Sequence, residues 1–224
     1  MTDAALFDWD GTLLDSREAL LGAWHSATER VLGRRFPADA QERELVFTLP
    51  GVKLFARIAR DADQTAELQA AFQEAYEQTS EALRPFPGIP ALLAELRDAG
   101  VAIGVVTSKA RRRYEADARR IGVDGLVDVA VCVEDTSAHK PDPEPILHAL
   151  AALGVAPGRA IMAGDTPVDL AAGTAAGTAV VGVAWGNSGE GPLHDAGATA
   201  IARDASELAA FVLQARADGE RIAT

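Results

Sequence analysis

The sequence predicts an α/β fold: a parallel β-sheet core, interrupted just after its first strand by a helical insertion. Three observations predict it. From Ile89 onward, apolar runs of strand length alternate with stretches of helical periodicity, and right-handed crossovers turn that alternation into a parallel sheet. In that part of the chain, helical stretches end at Gly100, Gly122, Gly154 and Gly177, each with an apolar run beginning within a few residues. Residues 15–84, by contrast, keep helical spacing throughout and contain no convincing strand.

Taken in order, the apolar run Ala4 to Phe7 reads as a short buried strand. Asp15, with Glu18 three positions on, makes a variant of the capping box, and Leu20, Leu21, Trp24, Ala27, Thr28 and Val31 follow at helical spacing until Gly33. Ala38 to Phe47 and Gly51 to Arg60 read as two short helices. Ala66 to Leu83 reads as a longer one, with Leu68, Phe72, Tyr76 and Leu83 on one stripe. Arg84-Pro85-Phe86-Pro87-Gly88 then rules out a continuous helix. A helix with Leu92, Leu93 and Leu96 inward precedes the strand Val101 to Val106, and the next helix leads to the strand Val127 to Val133. Asp142-Pro143 opens a helix with a capping carboxylate and proline at its first position. The strands Ala160 to Ala163 and Ala179 to Val183 flank another helix, and Ala205 to Ala215 is a last packing helix. The expected domains are a core of residues 1–14 and 85–224 and an inserted helical domain of residues 15–84.

Composition narrows the function. Of the 224 residues 48% are hydrophobic, which suits an aliphatic globular core, yet no apolar run approaches the roughly 20 residues of a membrane helix. Met1-Thr2-Asp3 offers no basic segment ahead of an apolar one, so no secretory signal is expected. Cys132 is the only cysteine, which excludes an internal disulfide and fits a reducing cytoplasm. The net charge of −12 repels nucleic acid and anionic membranes, and it repels phosphorylated substrates at long range unless local cations intervene. A homodimer is compatible with the sequence, which does not specify oligomeric state.

Chemistry is concentrated where the apolar runs end. The first run gives out into Asp8-Trp9-Asp10-Gly11-Thr12-Leu13, where the turn at Gly11 brings two carboxylates together. Close carboxylates call for a cation or a shared proton. An acidic solvated turn is the plain reading. A calcium loop counted from Asp8 fails, because Leu13 and Ala19 stand where the EF-hand needs Gly and Glu. A nucleophile with a general acid on a metal site needs partners elsewhere. In open parallel sheets those partners lie just beyond the carboxyl ends of the strands. Thr107, Ser108 and Lys109 follow the second strand, and Glu134, Asp135 and Lys140 follow the third. Asp165, Thr166 and Asp169 follow the fourth.

Four motifs in this order resemble the haloacid dehalogenase superfamily, specifically its phosphatases with a helical cap. They are Phe7-Asp8-Trp9-Asp10-Gly11-Thr12-Leu13, Val105-Val106-Thr107-Ser108-Lys109, His139-Lys140-Pro141-Asp142-Pro143 and Gly164-Asp165-Thr166-Pro167-Val168-Asp169. The resemblance implies a Rossmann-like core with the cap at residues 15–84. It implies that Asp8 attacks phosphorus to form an aspartyl phosphate and that Asp10 serves as acid and then base. Thr107 would bind a phosphoryl oxygen, and Lys140 would stabilise developing charge. It implies Mg2+ held by Asp8, the backbone carbonyl of Asp10, and Asp165, with Asp169 in or near that shell. Ser108 and Lys109 are further candidates for substrate binding, as are Lys53 and Arg57 in the cap. Trp9 departs from the more common leucine.

The presence of Asp10 favours an alkoxide leaving group over a halide, hence a small phosphorylated metabolite as substrate. The tail Val181-Gly182-Val183-Ala184-Trp185-Gly186 is most similar to phosphoglycolate phosphatases and their near relatives. A β-phosphoglucomutase-like isomerase, a haloacid dehalogenase-like hydrolase of other specificity and a binding module that kept the fold are the alternatives. The last of these predicts a broken motif, and none is broken. Arg111-Arg112-Arg113 reads as a solvated helical face, Cys132 and Trp24 as core, and His25 as a residue near the entry to the cap.

Overall fold

The computed structural model describes the backbone of residues 2–222 and the side chains up to Arg216 apart from that of Glu81. Met1, Ala223 and Thr224, at the ends of the expected core, lie outside the described residues. In chain order, β1 (Ala4–Phe7) and the two-residue β2 (Leu14–Asp15) precede four helices. These are α1 (Arg17–Leu32), α2 (Ala40–Thr48), α3 (Gly51–Ile58) and α4 (Ala62–Thr79). After β3 (Arg84–Pro85) come α5 (Ile89–Asp98), β4 (Ala102–Val106), α6 (Arg111–Ile121), β5 (Val129–Val131) and α7 (Glu144–Leu153). The chain finishes with β6 (Ala160–Gly164), α8 (Pro167–Ala176), β7 (Ala179–Val183), α9 (Glu190–Asp195), β8 (Ala200–Ala202) and α10 (Ala205–Ile222). It divides into two compact units, Met1–Asp15 with Pro85–Thr224, and Ser16–Arg84.

The larger unit is built on a six-stranded sheet in the order β5-β4-β1-β6-β7-β8, with parallel neighbours throughout. β1 occupies the middle because Ala4 to Phe7 are apolar and wholly buried, as a strand covered on both faces requires. It pairs with β4 on one side (Phe7 opposite Val105) and β6 on the other (Phe7 opposite Ala163). Strand order therefore reverses across β1, and the residues following β1, β4 and β6 share the crevice that this reversal opens. Leu6, Val106, Val131, Ile146, Leu150, Met162 and Leu170 form the core on one face of the sheet.

The smaller unit is built from helices α1 to α4. Its core is aromatic: the Trp24 ring lies 4.5 Å from Phe55, 5.0 Å from Phe72 and 5.7 Å from Phe36. Asp39 and Asp61 cap α2 and α4 by accepting from the backbone N–H groups of Glu42 and Gln64, each at 2.8 Å. The cap at Asp61 starts α4 four residues before the expected Ala66, and a 3-10 turn over Ser80–Ala82 takes its expected last turn.

Other expectations shift as well. Asp15 does not cap a helix. It is held in β2 because the Leu14 N–H and C=O bond back to Trp9 and Gly11, and Ser16 becomes the N-cap, without a side-chain bond. Pro143 is itself the N-cap of α7, while Asp142 accepts from the Glu144 N–H at 2.9 Å. The strand expected over Val127 to Val133 narrows to Val129–Val131, since the Val133 N–H turns away to the Lys109 carbonyl.

Candidate active site

β1 delivers Asp8 to a fixed point. The Asp8 N–H donates to the Ala163 carbonyl at 2.9 Å, so the ladder with β6 runs one residue beyond the strand. The chain then reverses tightly. The N–H groups of Leu13 and Leu14 both reach the Trp9 carbonyl, at 3.0 and 2.9 Å, and the Gly11 N–H reaches the Leu14 carbonyl at 2.9 Å. Gly11 has φ +90°, which an L side chain rarely adopts. The Trp9 side chain is fully buried, edge-on to Tyr114 of α6 at 4.8 Å, so the departure from leucine fills core.

Two buried lysines now divide the two aspartates between them. Lys140 Nζ donates to Asp8 Oδ1 at 2.6 Å, Asp169 Oδ1 at 2.6 Å and the Val106 carbonyl at 3.0 Å, which uses all three ammonium hydrogens. Lys109 Nζ lies 2.7 Å from Asp10 Oδ1 and 2.8 Å from Asp117 Oδ2. Each lysine therefore joins one aspartate of the first motif to one on a helix, Asp169 on α8 and Asp117 on α6.

Asp165, at the end of β6, is held on all sides. Its Oδ1 accepts from the Thr12 hydroxyl at 3.1 Å, and its Oδ2 accepts from the N–H and Nδ2 of Asn187, both at 2.8 Å. The backbone at Gly11 and Gly186 approaches it so closely that an added Cβ would lie 2.3 and 2.2 Å from Asp165 atoms. The Trp185 indole N–H secures the same turn by donating to the Thr12 carbonyl at 3.0 Å.

Asp8, Asp165 and Asp169 bring carboxylate oxygens within 4.8 Å of one another in a buried setting. One lysine cannot neutralise three carboxylates. Burial and the neighbouring aspartates outweigh Lys140 and push the Asp8 carboxyl well above its usual range. Burial and Asp169 raise Asp165 to about 7, against the hydrogen bonds from Asn187 and Thr12. Burial disfavours the Lys140 ammonium, yet Asp169 and Asp8 hold its pKa above the ordinary lysine value. A cluster of hard oxygen donors short of positive charge suits a small divalent cation.

The structure thus brings together Asp8, Lys140, Asp165 and Asp169, with Asp10 and Lys109 adjoining. Thr107 caps β4, and its Oγ1 accepts from the Lys109 N–H at 3.1 Å. With Ser108, His139, Lys140 and Cys132, Thr107 lines a small cavity. Burial pushes the Cys132 thiol up to about 12, the inert state expected of a core cysteine. Lys109, expected to bind substrate, has its ammonium buried between the Asp10 and Asp117 carboxylates. Asp169 sits at the cluster with both oxygens engaged, Oδ1 by Lys140 and Oδ2 by the N–H and hydroxyl of Thr166. Lys53 and Arg57 belong to the helical unit, where both are exposed on α3. His25 binds the Pro37 carbonyl at 3.1 Å and Arg35 at 2.9 Å, both within that unit. Glu134 and Asp135 secure the start of α6 through the Arg111 N–H and guanidinium.

Asn187 and Asp117 were not foreseen. Asn187 lies just beyond Trp185-Gly186, after the strand beside β6, so the strand-end rule that found the other residues reaches it too. Asp117 lies mid-helix, where sequence spacing carries no signal.

A parallel sheet with paired aspartates beyond β1 and a buried lysine and acidic cluster beyond its neighbours defines a hydrolase of the haloacid dehalogenase type. Residues 5–183 match the family model for haloacid dehalogenase-like hydrolases. The chain belongs to that family, and it is a phosphatase. It is 34% identical over 193 residues to pyrophosphatase PpaX of Bacillus velezensis, covering 83% of this chain and 86% of that protein. It is 34% identical over 197 residues to the N-acetylmuramic acid 6-phosphate phosphatase of Pseudomonas aeruginosa, covering 85% and 86%. Among solved structures, CbbY from Rhodobacter sphaeroides in complex with phosphate superposes with a TM-score of 0.79 at 28% identity, covering 93% of this chain and 96% of that one.

Proposed function

We propose that this phosphatase hydrolyses a small phosphomonoester through a phosphorylated Asp8 and requires Mg2+. The observation that carries the reading is the bond from Lys140 to Asp8 Oδ1. That bond leaves Oδ2 as the attacking oxygen and places a cation where a carboxylate must approach a phosphate dianion. Asp8 Oδ2 forms the bond to phosphorus while the bond from phosphorus to the leaving oxygen breaks. Asp10 gives that oxygen a proton and later takes one from the water that cleaves the aspartyl phosphate. Lys109 engages Asp10 Oδ1, so Oδ2 is the oxygen that carries the proton. Thr107 would hold a phosphoryl oxygen, and the Lys140 ammonium would stabilise the charge that develops beside Asp8.

Asp8, Asp165 and the Asp10 carbonyl would hold Mg2+, which supplies charge neutralisation and a template for in-line transfer when bound. Asp169 would act at one remove by fixing Lys140. Ser108 in the larger unit, and Lys53 and Arg57 in the helical unit, are the further candidates for substrate binding. A cytoplasmic enzyme acting on a phosphorylated metabolite of the phosphoglycolate kind remains the reading of the substrate. Pyrophosphate is the second reading, favoured by the similarity to PpaX; its chemistry is the same with phosphate as leaving group.

The test is phosphate release over a panel with Mg2+ or EDTA. The panel holds phosphoglycolate, sugar phosphates, N-acetylmuramic acid 6-phosphate, nucleotides and pyrophosphate. We expect turnover only with Mg2+ and a loss of at least about a thousandfold in Asp8→Asn, with trapped phosphate on the unaltered protein mapping to Asp8. Turnover in EDTA would remove the metal from the reading, and near-normal turnover by Asp8→Asn would remove the nucleophile.

A further inference from the structure

We propose that Asp117 is a positioning residue for proton transfer at Asp10, acting through Lys109. The inference rests on the phosphatase reading, with Asp10 as the group that moves the proton. Asp117 is 1% exposed and Lys109 4%, whereas the Asp10 side chain keeps 20% of its surface. The ammonium at the centre of this bridge is thus anchored at its buried end and presents Asp10 at its accessible end.

The physical need is plain. A lysine side chain has four rotatable bonds, and an ammonium paired with a single partly exposed carboxylate would move with it. Asp117 is fixed by α6, a rigid element, and one turn earlier the same helix places Tyr114 against Trp9, between the two catalytic candidates. α6 therefore holds the catalytic turn twice, once through an apolar contact and once through charge. The Lys109 N–H also donates to Thr107 Oγ1, which fixes the start of that side chain. With both ends of Lys109 tied, Asp10 Oδ1 has a defined place, and Oδ2 faces the leaving group in one orientation. The second bridge has the same form: Lys140 is held by Asp169 on α8 and in turn holds Asp8. A purely structural ion pair would weaken folding when broken and would slow all substrates alike.

The test compares kcat/KM for an aryl phosphate, whose leaving group departs without a proton, with kcat/KM for an alkyl phosphate, whose leaving group needs one. General acid catalysis is worth about 10²–10⁴-fold. We expect Asp117→Asn to lose at least about tenfold more activity on the alkyl ester than on the aryl ester. Lys109→Met should show the same skew, and combining the two substitutions should add little to Lys109→Met alone. Melting curves report whether each variant folds. If Asp117→Asn does not fold, Lys109→Met with Asp117→Leu replaces the buried pair by apolar groups and carries the same comparison. Equal losses on both esters, or additive losses in the combined variant, overturn the inference and leave the phosphatase reading standing. No hydrolysis of either ester by the unaltered protein in Mg2+ overturns that reading, and this inference with it.

Discussion

Asp165 shows what holding a buried charge costs. Its carboxylate is buried, wrapped by Thr12 and Asn187, and set beside Asp8 and Asp169, the two carboxylates that Lys140 bridges. Repulsion of this kind weakens a fold when the cation is missing, and removing it is a common route to stability at the expense of activity. Asp165→Asn fits the same space. Its carbonyl can accept both Asn187 donors while its amide donates to Thr12. In EDTA we expect this variant to be more stable than the unaltered protein by about 0.5–2 kcal/mol. Mg2+ should raise the melting temperature of the unaltered protein and leave the variant unmoved. A variant melting lower in EDTA would mean that the carboxylate is structural. At this scale the sequence placed Asp8, Asp165 and Asp169 just after strand ends, and the structure gathers their carboxylates into one buried cluster. The sequence did not reveal the groups that hold them. Asn187 reaches Asp165 across 22 positions and Asp117 reaches Lys109 from the middle of a helix, contacts made by the packed sheet and not by local spacing. Lys109 likewise follows a strand, and its pairing with Asp117 on α6 is visible in the packing and not in the spacing.

The elements matter here for how closely they let backbone approach the site. The loop after β7 passes Asp165 with no room for a side chain, since a Cβ on Gly186 would lie 2.2 Å from Asp165 Cβ and 2.5 Å from the Gly11 carbonyl oxygen. Those are backbone and short side-chain atoms that cannot swing away, so the loop must move. Gly186→Ala should cost about 1–3 kcal/mol of stability and weaken Mg2+ binding, because Asn187 is displaced with it. Gly22→Ala is the control. It lies within α1 with nothing within 4 Å of the added carbon, and it should stabilise by about 0.4–1 kcal/mol. Paired melting curves and Mg2+ titrations check both, and an alanine at 186 that leaves Mg2+ binding intact would show that this loop does not govern it. The same closeness explains which elements were legible. Strands β1, β4, β6 and β7 are buried apolar runs, the last three each following a helix that ends at a glycine, and all four lie near the bounds the sequence suggests. β8 was missed, since Ala200-Ile201-Ala202 is three residues at a sheet edge, too short to show a period. The cap expected at Asp15 failed because the hydrogen bonds of Leu14 extend the catalytic turn into β2, a demand of the site that helix propensity cannot see.

Over the whole molecule, a net charge of −12 surrounds a site that must accept an anion. Among the described residues no helix is long and apolar enough to cross a membrane. The field concentrates Mg2+ near the protein and repels phosphate esters, and the two effects pull the rate in opposite directions. At saturating Mg2+ only the repulsion remains. Raising monovalent salt from about 0.01 M to about 0.15 M shortens the screening length from about 30 Å to about 8 Å, which hides the distant charge and leaves contacts inside the buried site little changed. We therefore expect kcat/KM to rise with salt by about two- to fivefold for a phosphomonoester dianion, and by more for a more highly charged substrate such as pyrophosphate. A steady fall with salt would mean that local cations, with Lys53 and Arg57 the first to substitute, draw the substrate in more strongly than the rest of the surface turns it away.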